Sequence, residues 1–196
     1  MQTLDVFMEM LCGAFDNREQ CLREEASGGL IHPRASHVIG ACNERMRDLP
    51  AGFPGCFVIE ESYFDMGDRV IAKHYLFLYE EVERGRIRLT SYDLPPAVPR
   101  ESLTNDDTTL QIGYSDIRLS PRFTPLVLEE ADGEFLGENV SRFSPEALFT
   151  FRLRVTARAL YVTELLEREG TTAAGFDTPV VYVKTARRPI AGMPIT

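Results

Sequence analysis

The sequence has few basic residues and no long apolar run. Among its 196 residues, 30 Asp and Glu outnumber 21 Lys and Arg, which gives a formal charge of −9, and Lys73 and Lys184 are the only lysines. Because nucleic-acid binding requires a basic face for the phosphates, we expect no nucleic-acid partner. No stretch of about eighteen apolar residues occurs, and no basic segment precedes an apolar one at the N-terminus, so we expect a cytoplasmic protein that does not enter a membrane.

Several motifs of catalytic and metal sites are also missing. The cysteines lack CxxC spacing and the histidines lack the spacing of metal ligands, so we expect reduced, mostly buried thiols and no metal site. Neither a glycine-rich phosphate-binding loop nor a GxSxG motif occurs, which argues against the commonest nucleotide-dependent enzymes and hydrolases. The residues concerned are Cys12, Cys21, Cys42, Cys56, His32, His37 and His74.

Hydrophobic periodicity predicts one helix followed by many strands. Apolar residues at helical spacing, from Leu4 to Phe15, predict an amphipathic helix over about residues 3–24. Apolar segments then predict strands at 36–46, 56–63, 69–80, 86–92, 110–118, 125–130, 134–140, 148–155, 158–165 and 179–185. This succession, without intervening helices, is typical of an antiparallel barrel or sandwich. No linker divides the chain, so we expect a single mainly β domain over residues 1–196, with up-and-down topology as the simplest choice.

Turn residues support this division into strands. Gly85 and Gly133 each stand where a hairpin needs a positive φ. The proline-rich segment 94–99 and the polar segment 105–107 belong to a long connection, and long connections in compact domains are often functional. We expect this loop to cover one mouth of the barrel.

Cations and phenols alternate with apolar residues on the strand predicted at 69–80. Arg69, Lys73 and Tyr75 share one face of it, and Arg88 and Tyr92 share one face of the next strand. Such a surface suits a pocket for an apolar, planar ligand that bears carboxylates, because arginine pairs with carboxylates and aromatic faces stack. The alternative is an exposed face on which the arginines meet surface glutamates.

Two adjacent carboxylates, Glu60 and Glu61, lie on the strand predicted at 56–63. Neighbouring residues on a strand point to opposite faces, so one of the two faces the interior, where a charge is costly without a partner. Arg69, at the start of the next strand, is the expected partner. The inward glutamate either fixes the register as an ion pair with Arg69 or acts as a proton donor or acceptor for a ligand.

Motifs of the N-terminal half share their order and spacing with those of a known family. They are Gly13-x-Phe15-x-Asn17-x-x-Gln20, then Pro54-Gly55 before Phe57-Val58-x-Glu60-x-x-Tyr63, then Arg69. Together they resemble the CpeT/CpcT family, the bilin chromophore lyases of phycobiliproteins. The resemblance is best over residues 4–92, and the segment from Phe176 to Val183 is loosely similar to the family's closing strands.

The resemblance implies a calycin-like or lipocalin-like antiparallel β-barrel that binds a linear tetrapyrrole. It implies a phycocyanobilin-like bilin as ligand, a phycobiliprotein-like subunit whose cysteine receives the bilin through a thioether bond, and a homodimeric assembly. Carried onto this sequence, it selects Glu60 as the candidate acid, with Tyr63 and Arg69 as its neighbours. The arginines would clamp the two propionates and the tyrosines would pack against the rings.

Two further functions agree with the same sequence features. The first is a non-enzymatic, lipocalin-like carrier or sensor of an apolar carboxylated ligand, in which Glu60 and Arg69 are structural. The second is an interaction module whose barrel is filled by its own side chains. An open or a filled interior distinguishes the last of these from the other two.

Overall fold

A computed structural model describes residues 3–186 and shows a mainly β fold. The helices are α1 (Thr3–Leu11) and α2 (Arg18–Ala26), with short 3-10 turns at Asn43–Arg45 and Arg100–Ser102. The strands are β1 (Gly13–Asp16), β2 (Arg34–Ala41), β3 (Met46–Arg47), β4 (Gly55–Asp65), β5 (Val70–Glu83), β6 (Arg86–Asp93), β7 (Ile112–Gly113), β8 (Arg118–Leu119), β9 (Leu126–Ala131), β10 (Glu134–Ser144), β11 (Ala147–Val155), β12 (Ala159–Arg168), β13 (Thr171–Gly175) and β14 (Val180–Ala186).

Ten of these strands form a closed antiparallel barrel, as the sequence predicts. Around the barrel the order is β1, β2, β4, β5, β6, β9, β10, β11, β12 and β14, so each barrel strand pairs with the next one along the chain. The β14 strand then pairs with β1 and closes the sheet. The predicted up-and-down topology is therefore confirmed. The short strands β8 and β13 extend this sheet at its ends, and β3 and β7 form a separate parallel pair.

The predicted single helix over residues 3–24 is wrong, because β1 divides it into α1 and α2. The backbone of β1 passes very close to β14: a Cβ on Gly13 would lie 2.7 Å from the carbonyl oxygen of Ala186. Phe15, which continues the helical periodicity of the sequence, instead points from β1 into the core and is 1% exposed. Pairing with two strands at once outweighs the helical pattern at this position.

The α1 helix closes one end of the barrel. Phe7 is fully buried, and its ring lies 5.1 Å from that of Tyr79 on β5 and 5.0 Å from that of Phe135 on β10. Leu4, Met8 and other apolar residues of α1 join the same core cluster. Each such side chain contributes about 1.5–3 kcal/mol on burial. The N-terminal helix is thus held against the barrel by its apolar face.

The segments 94–99 and 105–107 of the long connection between β6 and β9 do not cover a barrel mouth, contrary to expectation. The end of the connection, residues 122–124, does reach the lining of the cavity. Its buried residues Leu103, Ile112 and Ile117 form a second core cluster with Phe57 and Ile59. Those two lie on the face of β4 that points away from the barrel interior, because Val58 between them belongs to the interior cluster. The loop therefore covers the outer wall of the barrel.

Several smaller strand assignments also differ from the predicted ones. The segment 110–118 is not one strand; it contains the two-residue strand β7 and the first residue of β8. The sequence did not predict β1, β3 or β13. The turn glycines are confirmed, since Gly85 and Gly133 each have a φ of 76°. Within residues 3–186, no helix is long and apolar enough to cross a bilayer.

Two buried amides reinforce the closure around β1. Asn17, directly after β1, donates to the carbonyl of Pro33 at 2.8 Å and accepts from the amide of Ala35 at 2.8 Å. Gln20 on α2 accepts from the amide of Val181 at 2.7 Å and donates to the carbonyl of Pro179 at 3.1 Å. The side-chain amides of Asn17 and Gln20 thus connect the segment after β1 to the two strands that pair with β1, which are β2 and β14.

We expect Asn17→Asp to lower the free energy of unfolding by about 3 kcal/mol, because it removes the donor to Pro33 and places a charge in a site that is 1% exposed. Urea unfolding measures the change. Asn139→Asp is the matched control, since the Asn139 amide also donates to a carbonyl, that of Thr124, at the surface. Equal losses in the two variants would contradict the role assigned to Asn17.

Candidate ligand-binding cavity

The barrel encloses an open cavity of about 1060 Å³. Leu11 of α1 and Tyr79 belong to its lining near the closed end, and Met66, Phe143 and Phe176 belong to its lining near the open end. Aliphatic and aromatic side chains form most of the wall between, where the rings of Tyr75 and Phe77 stack with centroids 5.4 Å apart. Four phenylalanine rings, Phe123, Phe143, Phe149 and Phe151, form a further chain of contacts on the opposite wall.

Strand alternation places three of the predicted site residues inside. Glu60 on β4 lies directly opposite Tyr75 on β5, and Lys73 lies one inward position nearer the mouth. All three line the cavity. Of the two alternatives for this face of β5, the structure has the one in which Ile71, Lys73, Tyr75, Phe77 and Tyr79 face the cavity.

The ionisable neighbour of Glu60 is His37 on β2, not Arg69. His37 Nδ1 lies 3.3 Å from Glu60 Oε1, and the hydroxyl of Ser62 donates to the same oxygen at 3.2 Å. The His37 side chain is 6% exposed and its ring packs against Tyr182 at 4.2 Å. Its other nitrogen, Nε2, is buried and has no hydrogen-bond partner within residues 3–186. His37 thus brings an unused polar atom to the lining of the cavity.

A second carboxylate, Glu164 on β12, faces the same space. Its Oε2 lies 3.8 Å from Lys73 Nζ, and that ammonium also lies 5.1 Å from the centre of the Phe64 ring. Burial raises the pKa of Glu164, and the nearby Glu60 raises it further, whereas Lys73 acts in the opposite direction. The Glu164 side chain is 38% exposed, and this exposed part faces the cavity rather than the outer surface of the protein. Glu164 is therefore more readily protonated than an ordinary glutamate.

The tyrosines inside the barrel remain protonated at neutral pH. Burial raises the pKa of Tyr75, with further increases from Glu164 and Glu60. The pKa of Tyr182 is raised by burial and by the same two carboxylates. Both phenols can therefore donate hydrogen bonds to a ligand.

Tyr63 and Arg69 do not join Glu60. Tyr63 points to the outer face of β4, where its hydroxyl donates to Glu61 at 2.6 Å. Arg69 is exposed in the turn between β4 and β5, and its carbonyl accepts from the amide of Met66. Tyr63 fails to contact Glu60 because residues three positions apart on a strand point to opposite faces. Arg69 fails to do so because it lies in the turn before Val70, the first residue of β5.

Arg88 and Tyr92 also lie outside the cavity. Arg88 pairs with Glu80 at 2.8 Å on the outer face, and the Tyr92 ring packs on Phe57 beneath the long loop. These two residues face outward because of a β-bulge in the β5–β6 hairpin, between Glu81 and Glu83. The bulge adds one residue to β5 and shifts the pairing by one position, which turns the whole face of β6 around.

Glu61 has a structural role on the outer wall. It is 5% exposed and accepts hydrogen bonds from Tyr63 and from Asn105, whose backbone amide lies at 2.7 Å and side-chain amide at 2.8 Å. Arg45, itself buried, donates to the Thr104 and Asn105 carbonyls. These bonds fix the long loop onto β4. The inward carboxylate is therefore Glu60, as the family motif selects.

Sequence reasoning missed several ionisable residues of the lining, among them His37, Glu164 and Arg122. For Glu164 a signal existed, because a carboxylate interrupts the alternating apolar residues Leu160, Val162 and Leu166. His37 likewise stands between Ala35 and Ile39 on an apolar face. Arg122 gives no such signal, since it lies in the connection before β9 rather than on a strand.

The cysteines lie outside the lining of the cavity, and all four are free and buried. Burial raises the pKa of Cys12 to about 11 and raises the pKa of Cys42 and Cys56 as well. These thiols are therefore neutral and poorly nucleophilic. Residues 3–186 contain no group of three or more His, Cys, Asp or Glu that could hold a metal ion.

The raised pKa of Glu164 predicts a distinct pH dependence of stability. A carboxyl group whose pKa is higher in the folded state adds stability that is lost as the pH rises through the folded pKa. We therefore expect Glu164→Gln to be most favourable relative to the wild type at neutral pH, and this advantage to shrink on acidification toward the usual glutamate pKa. Urea unfolding from pH 5 to pH 8 measures it.

Glu134→Gln is the control of opposite sign. Arg154 donates to Glu134 at 2.7 and 3.0 Å and lowers the pKa of that carboxyl, so its stabilising contribution is lost as the pH falls. If the change in unfolding free energy had the same pH dependence in both variants, the pKa of Glu164 would not be raised in the folded protein.

Comparison with known sequences adds no relative from which a function could be transferred. No family model matches this chain, and no curated protein matches it. The geometry of the cavity and the physical chemistry of its lining are therefore the basis for a functional proposal.

Proposed function

We propose that this barrel binds an elongated, conjugated apolar ligand, and that the ligand class is a linear tetrapyrrole. The observation that carries the proposal is the open, aromatic-lined cavity of about 1060 Å³. Pockets for small organic molecules are lined mainly by apolar and aromatic groups, with a few polar groups that orient the ligand. A barrel filled by its own side chains would favour the interaction module instead, and the size of this cavity argues against it.

The chemistry of a bilin suits the lining. Its conjugated rings can stack on the aromatic walls, for which Tyr75 and Phe77 are already parallel within 11°. Its pyrrole N–H groups can donate to carboxylates, and Glu60 and Glu164 are the carboxylates that face the middle of the cavity. Its two propionates require a cation, and Arg122 of the lining provides one. The resemblance of the N-terminal motifs to the CpeT/CpcT family supports the same ligand class.

In the enzymatic form of the proposal the protein is a chromophore lyase. The thiol of an acceptor cysteine adds to an exocyclic double bond of the bilin, so that a C–S bond forms, the π bond breaks and the adjacent carbon takes up a proton. The chain's own cysteines are outside the cavity, so the thiol comes from the acceptor. Glu60, beside His37, and Glu164, whose pKa is raised, are the candidate proton donors. A phycobiliprotein-like acceptor and a homodimeric assembly remain predictions.

A non-enzymatic carrier or sensor is the second candidate. The observation that favours it is the position of Tyr63 and Arg69, which lie away from Glu60, so the expected group of three does not assemble. A carrier needs the cavity and its orienting groups but no aligned proton donor. Both candidates share the binding step and differ in the transfer step.

Absorbance titration with biliverdin and with phycocyanobilin tests the binding step. We expect a shifted and intensified long-wavelength band, because a ligand held against aromatic walls loses its conformational freedom. Val162→Phe adds bulk to the lining and should weaken binding by about tenfold, since overfilling a packed interface typically costs 1–3 kcal/mol.

Val140→Phe is the matched control, because Val140 is 48% exposed and is not part of the lining. It should bind both bilins as the wild type does. An unshifted spectrum at high protein concentration would refute the proposed ligand class. If Val162→Phe and Val140→Phe weakened bilin binding equally, the ligand would bind outside the barrel.

Transfer of bilin to a phycobiliprotein subunit separates the two candidates. For a lyase, Glu60→Gln should keep bilin affinity within about twofold but slow transfer by about 100-fold, the usual contribution of a positioned proton donor. Zinc-enhanced fluorescence of the acceptor band on a denaturing gel measures covalent attachment. A wild-type rate no higher than that of free bilin with the acceptor identifies a carrier.

A further inference from the structure

The ionisable groups of the cavity are divided between its middle and its mouth. His37, Glu60, Lys73 and Glu164 come from the middle parts of four strands, and we call them the inner cluster. Lys73 and Tyr75 stand on β5 between Tyr79, which touches α1, and Ile71 near the open end. Arg122, by contrast, precedes β9, and its guanidinium lies 4.5 Å from the ring of Phe143 near the last residues of β10. The cavity therefore has an inner polar region and, at its mouth, the guanidinium of Arg122. The other arginine of the lining, Arg34, pairs with Glu25 at 2.7 Å.

The inner cluster is unfavourable for a ligand carboxylate. It contains two carboxylates, one lysine and one histidine; the lysine already lies 3.8 Å from Glu164, and the histidine lies 3.3 Å from Glu60. A propionate beside Lys73 would compete with Glu164 and approach Glu60, and like charges in a desolvated site repel strongly. The neighbourhood of Lys73, where the sequence pattern suggested that the ligand's carboxylates bind, is therefore electrostatically unfavourable for them.

The inner cluster does suit an uncharged group that both donates and accepts hydrogen bonds. Lys73 is a donor, Glu60 is an acceptor, and the buried His37 Nε2 has no partner within residues 3–186. A buried polar atom without a partner is uncommon in folded proteins, and a ligand atom would satisfy it. A lactam places one N–H and one C=O side by side, and each end ring of a bilin carries such a group.

The mouth of the cavity has a cation, Arg122, that can bind the ligand's carboxylates. Arg122 is exposed, its guanidinium stacks on an aromatic ring, and it has no ion pair within residues 3–186. Arginine recognises carboxylates with two parallel hydrogen bonds. A carboxylate at this position also remains in contact with water, so that it keeps most of its hydration.

We infer that the ligand binds end-on, with an uncharged lactam end at the inner cluster and its carboxylates at the mouth beside Arg122. The inference rests on the proposed tetrapyrrole-binding function and specifies the orientation within the same cavity. It replaces the expectation that the propionates are clamped along β5 and β6.

The test compares biliverdin with its dimethyl ester, which keeps both lactam ends and removes both negative charges. We expect the wild type to bind the acid about two- to fivefold more tightly, which is the range for an exposed ion pair. Arg122→Gln should abolish this preference by weakening the acid alone. Lys73→Met should weaken acid and ester by the same factor, because it removes a donor to the lactam.

Arg152→Gln is the matched control, since Arg152 pairs with Glu138 on the outer face and its loss changes the net charge equally. It should keep the preference for the acid. Raising the salt from about 0.05 to 0.5 M should weaken the acid and leave the ester unchanged, because screening acts on the exposed charge.

The outcomes separate the orientation from the proposed function. A preference that survives in Arg122→Gln and disappears in Lys73→Met places the propionates at the inner cluster and overturns the inference while the binding function stands. Absence of binding by both compounds to the wild type overturns the binding function itself, and the orientation with it.

Discussion

Closure of the sheet at β1 is the constraint on which the rest of the molecule depends. This strand has four residues, yet it pairs with both β2 and β14 and so joins the beginning of the chain to its end. An open sheet would expose two edges of unpaired backbone groups and would have no interior. Once the sheet is closed, every second residue of each strand faces a common space. Gly13, Asn17 and Gln20 secure this closure through close approach and buried amide hydrogen bonds.

The interior produced by this closure contains charges that stability alone does not require. Desolvating a carboxylate is costly, and replacing a buried ion pair with apolar residues is often neutral or stabilising. The pKa of Glu164 is raised, which means that its charged form is disfavoured in the folded protein. Ionisable groups with shifted pKa values that line a cavity are often part of binding and catalytic sites. The inner cluster is therefore best understood as part of the site rather than of the scaffold.

Glu60 and Glu61 show how one wall serves two purposes. They are adjacent on β4, but Glu61 is held by Tyr63 and Asn105 and anchors the long loop on the outside. Glu60 faces the cavity beside His37. The loop supports β4 from behind, so the strand that carries the inward carboxylate is packed on both faces. Rigid support of this kind fixes the position of a functional side chain.

Together with the family resemblance, which favoured a barrel over a sandwich, the sequence predicted an antiparallel fold with up-and-down order, because period-2 alternation and turn glycines are local signals. It also determined that one of two adjacent glutamates faces inward, and the family spacing selected Glu60. The partners of that glutamate depend on how the strands are arranged in the folded barrel, which the sequence pattern does not contain. His37, Lys73 and Glu164 come from three other strands, and a single bulge turned Arg88 and Tyr92 to the outside. Alternation assigns the face within one strand, whereas register and closure, which depend on contacts between distant segments, decide which faces meet.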